Sequence, residues 1–196
     1  MPRQPRIDFP GAVHHVMSRG ARHAPIFKAD DHCVLFLDCL DDTVYRHGLE
    51  VLAYSLMPNH FHLLVRSPES RPVLSRSLRH LLSSYTVKVN RLHRWDGPLF
   101  RGRFKSQSVT QDAYLVYLLA YIHLNPLRAG LVSRLEDEAW TSQRAYLGLD
   151  PAPRWLRTDR VAQAVGDGDY LRDLTLALWR KAEPWPESLD IEGGWI

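Results

Sequence analysis

The chain has 196 residues, of which 45% are hydrophobic and 24% charged, and its formal net charge is +3. This length suffices for one domain with a hydrophobic core, and the composition is typical of a globular protein in water. No segment reaches the roughly 18 consecutive apolar residues of a membrane-spanning helix. The N-terminal residues also lack the apolar stretch of a secretion signal. We therefore expect a cytoplasmic protein with no membrane partner.

The first half of the chain shows alternating strand and helix signals. Ala12 to Arg19 is predicted as a strand. From Asp30 to about His47 the apolar residues recur at helical spacing, with Asp30 or Asp31 as N-cap and Gly48 after the last turn. Two apolar runs follow, Glu50 to Met57 and His60 to Arg66, and the turn pair Pro58-Asn59 between them predicts adjacent strands.

The second half is predicted from the same kinds of signal. A long helix is expected from about Pro72 to His93, followed by a basic hairpin from Gly97 to Val109. Thr110 is expected to cap a helix from Gln111 to about Asn125, which Pro126 would end because the residue before a proline disfavours helical geometry. One further helix is predicted near Asp169 to Lys181. Strands and helices that interleave through hairpins predict an α+β fold with a mainly antiparallel sheet.

Positive charge is concentrated in the middle of the chain. From Arg66 to Lys105 there are ten lysines and arginines against two acidic residues, a net charge of +8, so the rest of the chain carries −5. Such asymmetry is expected of a surface that binds a polyanion. A solvated basic helix surface would explain the charge alone equally well.

Two histidines, His60 and His62, are separated by Phe61 in a predicted strand. Alternate residues of a strand share a face, so the two imidazoles lie about 7 Å apart along it and can converge on one cation. Taken alone, such a pair is weak evidence for a metal site, since isolated histidines also occur in cores and on surfaces.

Tyr121 and Asn125 are one turn apart on a predicted helix and therefore share a face. Asn125 offers a neutral oxygen ligand and Tyr121 a phenol. Tyr114, Tyr117 and Tyr121 also form a stripe along the helix, which taken alone favours an aromatic core seam.

Four blocks of sequence together resemble the single-tyrosine HUH transposases of small insertion sequences (IS200-like), and most closely the REP-associated tyrosine transposases. The matching blocks are GAVHHVMSRG (Gly11 to Gly20), MPNHFHLLV (Met57 to Val65), PLFRGRFKS (Pro98 to Ser106) and YIHLNPLRAGLV (Tyr121 to Val132), followed by Trp140-Thr141-Ser142. The resemblance covers roughly residues 5 to 148. It implies a ferredoxin-like HUH endonuclease core over residues 1–148, with residues 149–196 as a C-terminal extension that we expect to pack on it.

The resemblance also implies roles for individual residues. His60 and His62 match the two metal-binding histidines of the family, Tyr121 matches the nucleophile, and Asn125 matches the polar residue that completes the metal site. Two imidazoles and an amide oxygen suit Mg²⁺ or Mn²⁺. The implied activity is metal-dependent cleavage and rejoining of single-stranded DNA at hairpin (REP-like) sequences through a 5′-phosphotyrosine.

The basic residues are then expected to contact DNA phosphates. On the predicted helix and hairpin these are Arg76, Arg79, Lys88, Arg91, Arg94, Arg101, Arg103 and Lys105. Arg3, Arg6 and Arg19 are candidates for contacting a single-stranded sequence beside the DNA hairpin.

Two other functions agree less well with the sequence. A catalytically silent DNA-binding protein of the same fold is expected to have lost the tyrosine or a histidine, yet all three are present. A β-lactamase-like nuclease requires an HxHxDH run, whereas Leu63, Leu64 and Val65 follow here. The sequence leaves open whether the protein acts as a monomer or a homodimer.

Overall fold

A four-stranded antiparallel sheet forms the centre of the protein. The computed structural model describes residues 7–110, 112–137, 140–161 and 168–180. The strands are β1 (Val13–Arg19), β2 (Glu50–Met57), β3 (His60–Arg66) and β4 (Lys105–Val109), in the order β2-β3-β1-β4. The helices are α1 (Asp30–His47), α2 (Leu74–His93), α3 (Asp112–Arg128), α4 (Gln143–Tyr146) and α5 (Gly168–Arg180). The chain order βαββαβ with this strand order is ferredoxin-like, and the predicted α+β fold is confirmed.

Helices cover both faces of the sheet. Helices α1 and α2 pack on one face, where Phe36, Phe61 and Tyr85 are buried in the larger core. Helix α3 packs on the other face against Leu64, and Leu171 of α5 joins this second core. Among the described helices, none combines the length and apolar character needed to cross a bilayer.

The chain beyond α3 runs along the outer edge of β2. The amide N–H of Leu56 donates to the carbonyl of Trp140 (2.8 Å), and that of Arg157 donates to the carbonyl of Val51 (2.8 Å). Trp155 is buried in the larger core. Strand β2 therefore presents a partly covered edge, which protects it from pairing with other chains. The domain boundary at residue 148 stays a prediction.

Two local predictions are wrong. Neither Asp30 nor Asp31 is the N-cap of α1; Ala29 takes that position, and the Asp30 carboxylate accepts a hydrogen bond from the Trp140 indole (2.9 Å). Both acids lie in the first turn, where they still interact favourably with the helix dipole. The hairpin expected over residues 97–109 is a single strand, β4, which pairs with β1. Alternating residues indicate a strand, but they do not specify its partner.

The predicted end of α3 before Pro126 is also wrong, because the helix continues to Arg128. Pro126 has no N–H to donate to the carbonyl of Ile122. The side-chain amide of Asn125 donates to that carbonyl (3.3 Å) and to the carbonyl of Tyr121 (3.0 Å). The missing backbone bond is thus replaced from the neighbouring side chain. The predicted cap at Thr110 involves Gln111, which lies outside the described residues.

Candidate active site

His60 and His62 share the face of the sheet that α3 covers. Their rings are 5.0 Å apart between centroids, whereas Phe61 points into the core on the opposite face. His62 is buried, and His60, at the start of β3, is partly exposed. The predicted common face of the two histidines is therefore present.

The pairing of β1 with β3 brings a third histidine to this face. Met17 lies opposite His62 and Arg19 lies opposite His60, so His15 also faces α3. His15 Nε2 and His62 Nδ1 are 2.9 Å apart, and the two rings are stacked with centroids 5.2 Å apart. One hydrogen lies between these nitrogens, so the two imidazoles are coupled.

The burial of His15 lowers the stability of the folded protein. It is 1% exposed, and burial, together with the nearby His62, holds its pKa well below the usual value. Its Nδ1 atom is buried and forms no hydrogen bond with any part of the chain that the structure describes. An unsatisfied buried polar atom costs about 1–3 kcal/mol. Packing alone would favour an apolar residue here.

Tyr121 is the tyrosine of α3 that contacts the histidines. Its ring lies edge-on, 5.7 Å from His62 and 6.0 Å from His15 between centroids, and it is 6% exposed. Tyr117, one turn earlier, is 45% exposed. Tyr114 accepts a hydrogen bond from the side chain of Gln107 (3.1 Å). The predicted tyrosine stripe thus divides into three different environments.

Asn59, in the turn before β3, determines which ring nitrogen of His60 carries the hydrogen. His60 Nδ1 lies 2.7 Å from Asn59 Oδ1. A carbonyl oxygen can only accept, so Nδ1 carries the hydrogen and the lone pair of the imidazole is on Nε2. This tautomer leaves Nε2 as the ring nitrogen that could bind a metal ion.

The third predicted ligand, Asn125, follows Tyr121 by one helical turn. Its side-chain nitrogen donates to carbonyls of its own helix. The side-chain oxygen, Oδ1, is therefore the atom of Asn125 that could bind a cation. Within the described ranges, no three histidine, cysteine, aspartate or glutamate side chains are grouped to hold a metal ion. The set of two imidazoles and a neutral oxygen fits a divalent cation whose other ligands are oxygens of water or phosphate.

His123 lies in the same sequence block but has a structural role. Its Nε2 is 2.7 Å from Ser142 Oγ, and its ring packs on Tyr146. Burial lowers the pKa of His123 to about 3. Ser142 also accepts from the amide of Tyr54 (3.0 Å), so this cluster ties α3 to β2 and α4.

The predicted DNA-binding residues form two groups. At the His60 end of the sheet, Arg19 lies opposite His60, and its carbonyl accepts from the amide of Arg101 (2.9 Å). The other members of this group, on β4, the loop before it or the second half of α2, are Lys88, Arg91, Arg94, Arg103 and Lys105. Arg76 and Arg79 lie in the first half of α2, at the opposite end of the sheet. Arg3 and Arg6 lie outside the described residues.

The family model of IS200-like transposases matches residues 10–125, which is more than half of the chain. The chain belongs to the IS200-like transposase family. This family consists of enzymes that process DNA, so the predicted family and the general class of activity are confirmed.

Three individual proteins are similar to this chain. A protein of Haemophilus influenzae described as a REP-associated tyrosine transposase is 24% identical over 121 residues, which cover 57% of this chain and 69% of the relative. The structure of a REP-associated tyrosine transposase bound to a REP hairpin aligns with a TM-score of 0.66 at 17% identity, over 77% of this chain and 89% of that one. A crystal structure from Deinococcus radiodurans, described as a transposase, aligns with a TM-score of 0.44 at 18% identity, over 58% of this chain and 91% of that one.

Two residues that contact the candidate site were not identified from the sequence. Asn59 precedes the histidine pair directly, and a turn residue with a side-chain acceptor beside a predicted ligand was a usable signal. His15 was one of two adjacent histidines, His14 and His15, only one of which can face the site. Alternation separates them, but the choice between them requires the register between β1 and β3.

Proposed function

We propose that this protein cleaves and rejoins single-stranded DNA at hairpin (REP-like) sequences, with Tyr121 as the nucleophile. The proposal is supported mainly by one observation: the ring of Tyr121 lies against His62, whereas Tyr117 is exposed on the same helix. His60, His62 and Asn125 would hold Mg²⁺ or Mn²⁺. When bound, such a cation would neutralise negative charge on the phosphodiester.

The chemistry assigned to Tyr121 is a transesterification. Its phenolic oxygen attacks phosphorus, and the bond between phosphorus and the 3′ oxygen breaks. The phenol loses its proton and the 3′ oxygen gains one, so one strand leaves with a 3′-hydroxyl and the other stays attached through a 5′-phosphotyrosine. The ester bond is conserved, and a 3′-hydroxyl can therefore attack the phosphotyrosine and rejoin strands without ATP.

A hairpin substrate is supported by charge and by a relative. The segment from Arg66 to Lys105 has a net charge of +8, which suits binding to phosphates. The structural relative with a TM-score of 0.66 is bound to a REP hairpin. A cytoplasmic location, and action as a monomer or a homodimer, complete the proposal.

Covalent capture of DNA tests the nucleophile. We expect the wild-type protein, incubated with single-stranded hairpin DNA and Mn²⁺, to form an adduct that survives denaturing electrophoresis. Tyr121→Phe should form none, because it keeps the ring and its packing but lacks the attacking oxygen. His60→Ala should lose metal-dependent cleavage and still bind the hairpin.

Tyr117→Phe is the matched control, since it removes a hydroxyl one turn away on the same helix. An adduct that persists in Tyr121→Phe and disappears in Tyr117→Phe would assign the nucleophile to Tyr117. If the wild type binds hairpin DNA and forms no adduct under any metal condition, the alternative of a catalytically silent DNA-binding protein is favoured.

A further inference from the structure

We infer that His15 and Asn59 are positioning residues that fix the ring orientation and tautomer of the two metal-binding histidines. The inference rests on the proposed function, because it takes His60 and His62 as ligands. A histidine that ligates a metal through one nitrogen donates the N–H of its other nitrogen to an acceptor, which fixes the ring. Each of the two histidines here has its Nδ1 engaged by a residue outside the proposed ligand set.

For His60 the acceptor is the side chain of Asn59. The 2.7 Å contact between His60 Nδ1 and Asn59 Oδ1 directs the Nε2 lone pair away from the turn. Asn59 is itself fixed, since its carbonyl accepts from the amide of Gly20 (2.8 Å). The turn that joins β2 and β3 therefore also orients the first ligand.

For His62 the acceptor is His15. The 2.9 Å contact between His15 Nε2 and His62 Nδ1 holds one hydrogen. If His62 binds a cation through Nε2, that hydrogen belongs to His62, and His15 accepts it. Stacking of the two rings, with Tyr121 edge-on to both, keeps this pair in one orientation.

His15 differs from an ordinary core histidine and from a ligand. Its neighbour His14, equally buried on the other face of the sheet, bonds to Asp8 (3.3 Å). His15 forms its one described side-chain hydrogen bond with the imidazole of His62, a proposed ligand, rather than with a carboxylate or a hydroxyl. Its Nδ1 is buried without a described partner, as is Nδ1 of His123. Among the residues that the structure describes, His15, His60 and His62 do not form a three-histidine metal site.

Binding of Mn²⁺ alone, measured by calorimetry and by electron paramagnetic resonance without DNA, tests the inference. We expect His15→Leu to weaken Mn²⁺ binding by about 10- to 100-fold while the protein stays folded. His15→Gln, which offers an amide oxygen as acceptor, should restore much of the affinity. Asn59→Leu should weaken binding similarly, and Asn59→Asp, which keeps the acceptor, should not.

His14→Leu is the matched control, because it removes an equally buried histidine from the same strand on the opposite face. It should leave Mn²⁺ affinity at the wild-type level. Nitrogen-15 NMR of the histidine rings gives a second readout: His60 and His62 should carry hydrogen on Nδ1 in the wild type, and His15→Leu should give His62 a mixture of tautomers.

The outcomes separate this inference from the proposed function. If His60→Ala abolishes Mn²⁺ binding while His15→Leu and Asn59→Leu bind as the wild type does, the inference is wrong and the metal role stands. Hydrogen on Nε2 of His62 in the wild type would also overturn it, even if His15→Leu failed to fold. Wild-type protein that binds no Mn²⁺ would overturn the metal role together with the inference.

Discussion

Buried histidines in this protein differ in what their ring nitrogens contact. His14 bonds to a carboxylate and His123 to a hydroxyl, whereas His15 bonds to another imidazole. Burial lowers the pKa of all three. Each therefore resists protonation in the folded state, and acidification should destabilise the fold through them.

His123 gives the clearest pH prediction. Its pKa is about 3 in the folded protein against 6.5 for an ordinary histidine. Between these values the unfolded chain binds a proton that the folded protein does not, so the free energy of unfolding falls as the pH drops below 6.5. The loss approaches about 1.4 kcal/mol per pH unit and is absent above pH 6.5.

Urea denaturation from pH 7.5 to 4 measures this effect. His123→Gln keeps a polar partner for Ser142 but has no titratable ring, so its stability should fall less steeply below pH 6.5 than that of the wild type. His14 and His15 remain in the variant, and some dependence on pH should persist. Parallel curves for the two proteins would show that His123 is readily protonated in the folded state.

At the scale of residues, the sequence was informative where spacing alone decides the geometry. The common face of His60 and His62 follows from the two-residue period of a strand. The contact of His15 with His62 depends on the register of strands that are 47 residues apart in sequence, and no local pattern encodes this register. Helical spacing could likewise not separate Tyr121 from Tyr117, because residues four apart lie on the same face of a helix. Their different exposure depends on the elements that pack against each turn of α3.

At the scale of elements, helix α3 continues through a proline. The side chain of Asn125 donates to the carbonyls of Tyr121 and Ile122. The carbonyl of Ile122 would normally accept from the amide of residue 126, but Pro126 has no N–H. This arrangement also holds the side chain of Asn125 against the helix that carries Tyr121. A residue proposed as a metal ligand thus also stabilises the last turn of that helix.

A double-mutant cycle tests this replacement of a backbone bond. Asn125→Ala should lower the free energy of unfolding by more in the wild type than in Pro126→Ala, where the new N–H can donate to the carbonyl of Ile122. We expect a coupling of about 0.5–1 kcal/mol. Differences in helix propensity between Asn and Ala cancel, since they occur in both arms.

Guanidinium denaturation of the four proteins gives the coupling. Asn90→Ala is a suitable reference, because the Asn90 side chain bonds to the loop carbonyl of Gly97 (2.9 Å) and should show no coupling to Pro126. A coupling of zero between Asn125 and Pro126 would mean that the side-chain amide does not replace the missing bond.

The bounds of most elements were predictable, but their pairing was not. Helices α1 and α2 begin and end within two residues of the expected positions, because apolar spacing and Gly48 define them locally. Strand β4 was expected in a local hairpin, yet its hydrogen bonds go to β1. Partner choice follows from the closure of the whole sheet, which is a long-range property.

At the scale of the molecule, the basic residues are distributed along the full length of α2. This helix begins beside Asp8, near the end of β3, and the loop after it returns to β1 where the carbonyl of Leu99 accepts from the amide of Ala21 (2.9 Å). Arg76 and Arg91 are 15 residues apart, about 22 Å along the helix axis. The basic residues of α2 therefore extend over a longer distance than the site around His60.

Substrates of different length should separate the two groups of basic residues. Charges much further away than about 8 Å are screened at physiological salt. A short single strand bound at the site should therefore contact Arg101 and Arg103 and not reach Arg76 and Arg79. We expect Arg101→Ala/Arg103→Ala to weaken binding of such an oligonucleotide and to reduce the slope of log K against log salt by about 1.4, at about 0.7 for each lost phosphate contact.

Arg76→Ala/Arg79→Ala is the matched pair, since it removes the same charge from the opposite end of the sheet. It should leave oligonucleotide binding unchanged and weaken binding only of a DNA hairpin, whose stem can extend along α2. Fluorescence anisotropy with labelled DNA between 50 and 200 mM salt measures both slopes. Equal losses from the two double variants on the short oligonucleotide would show that net charge, and not the placement of the two groups, governs binding.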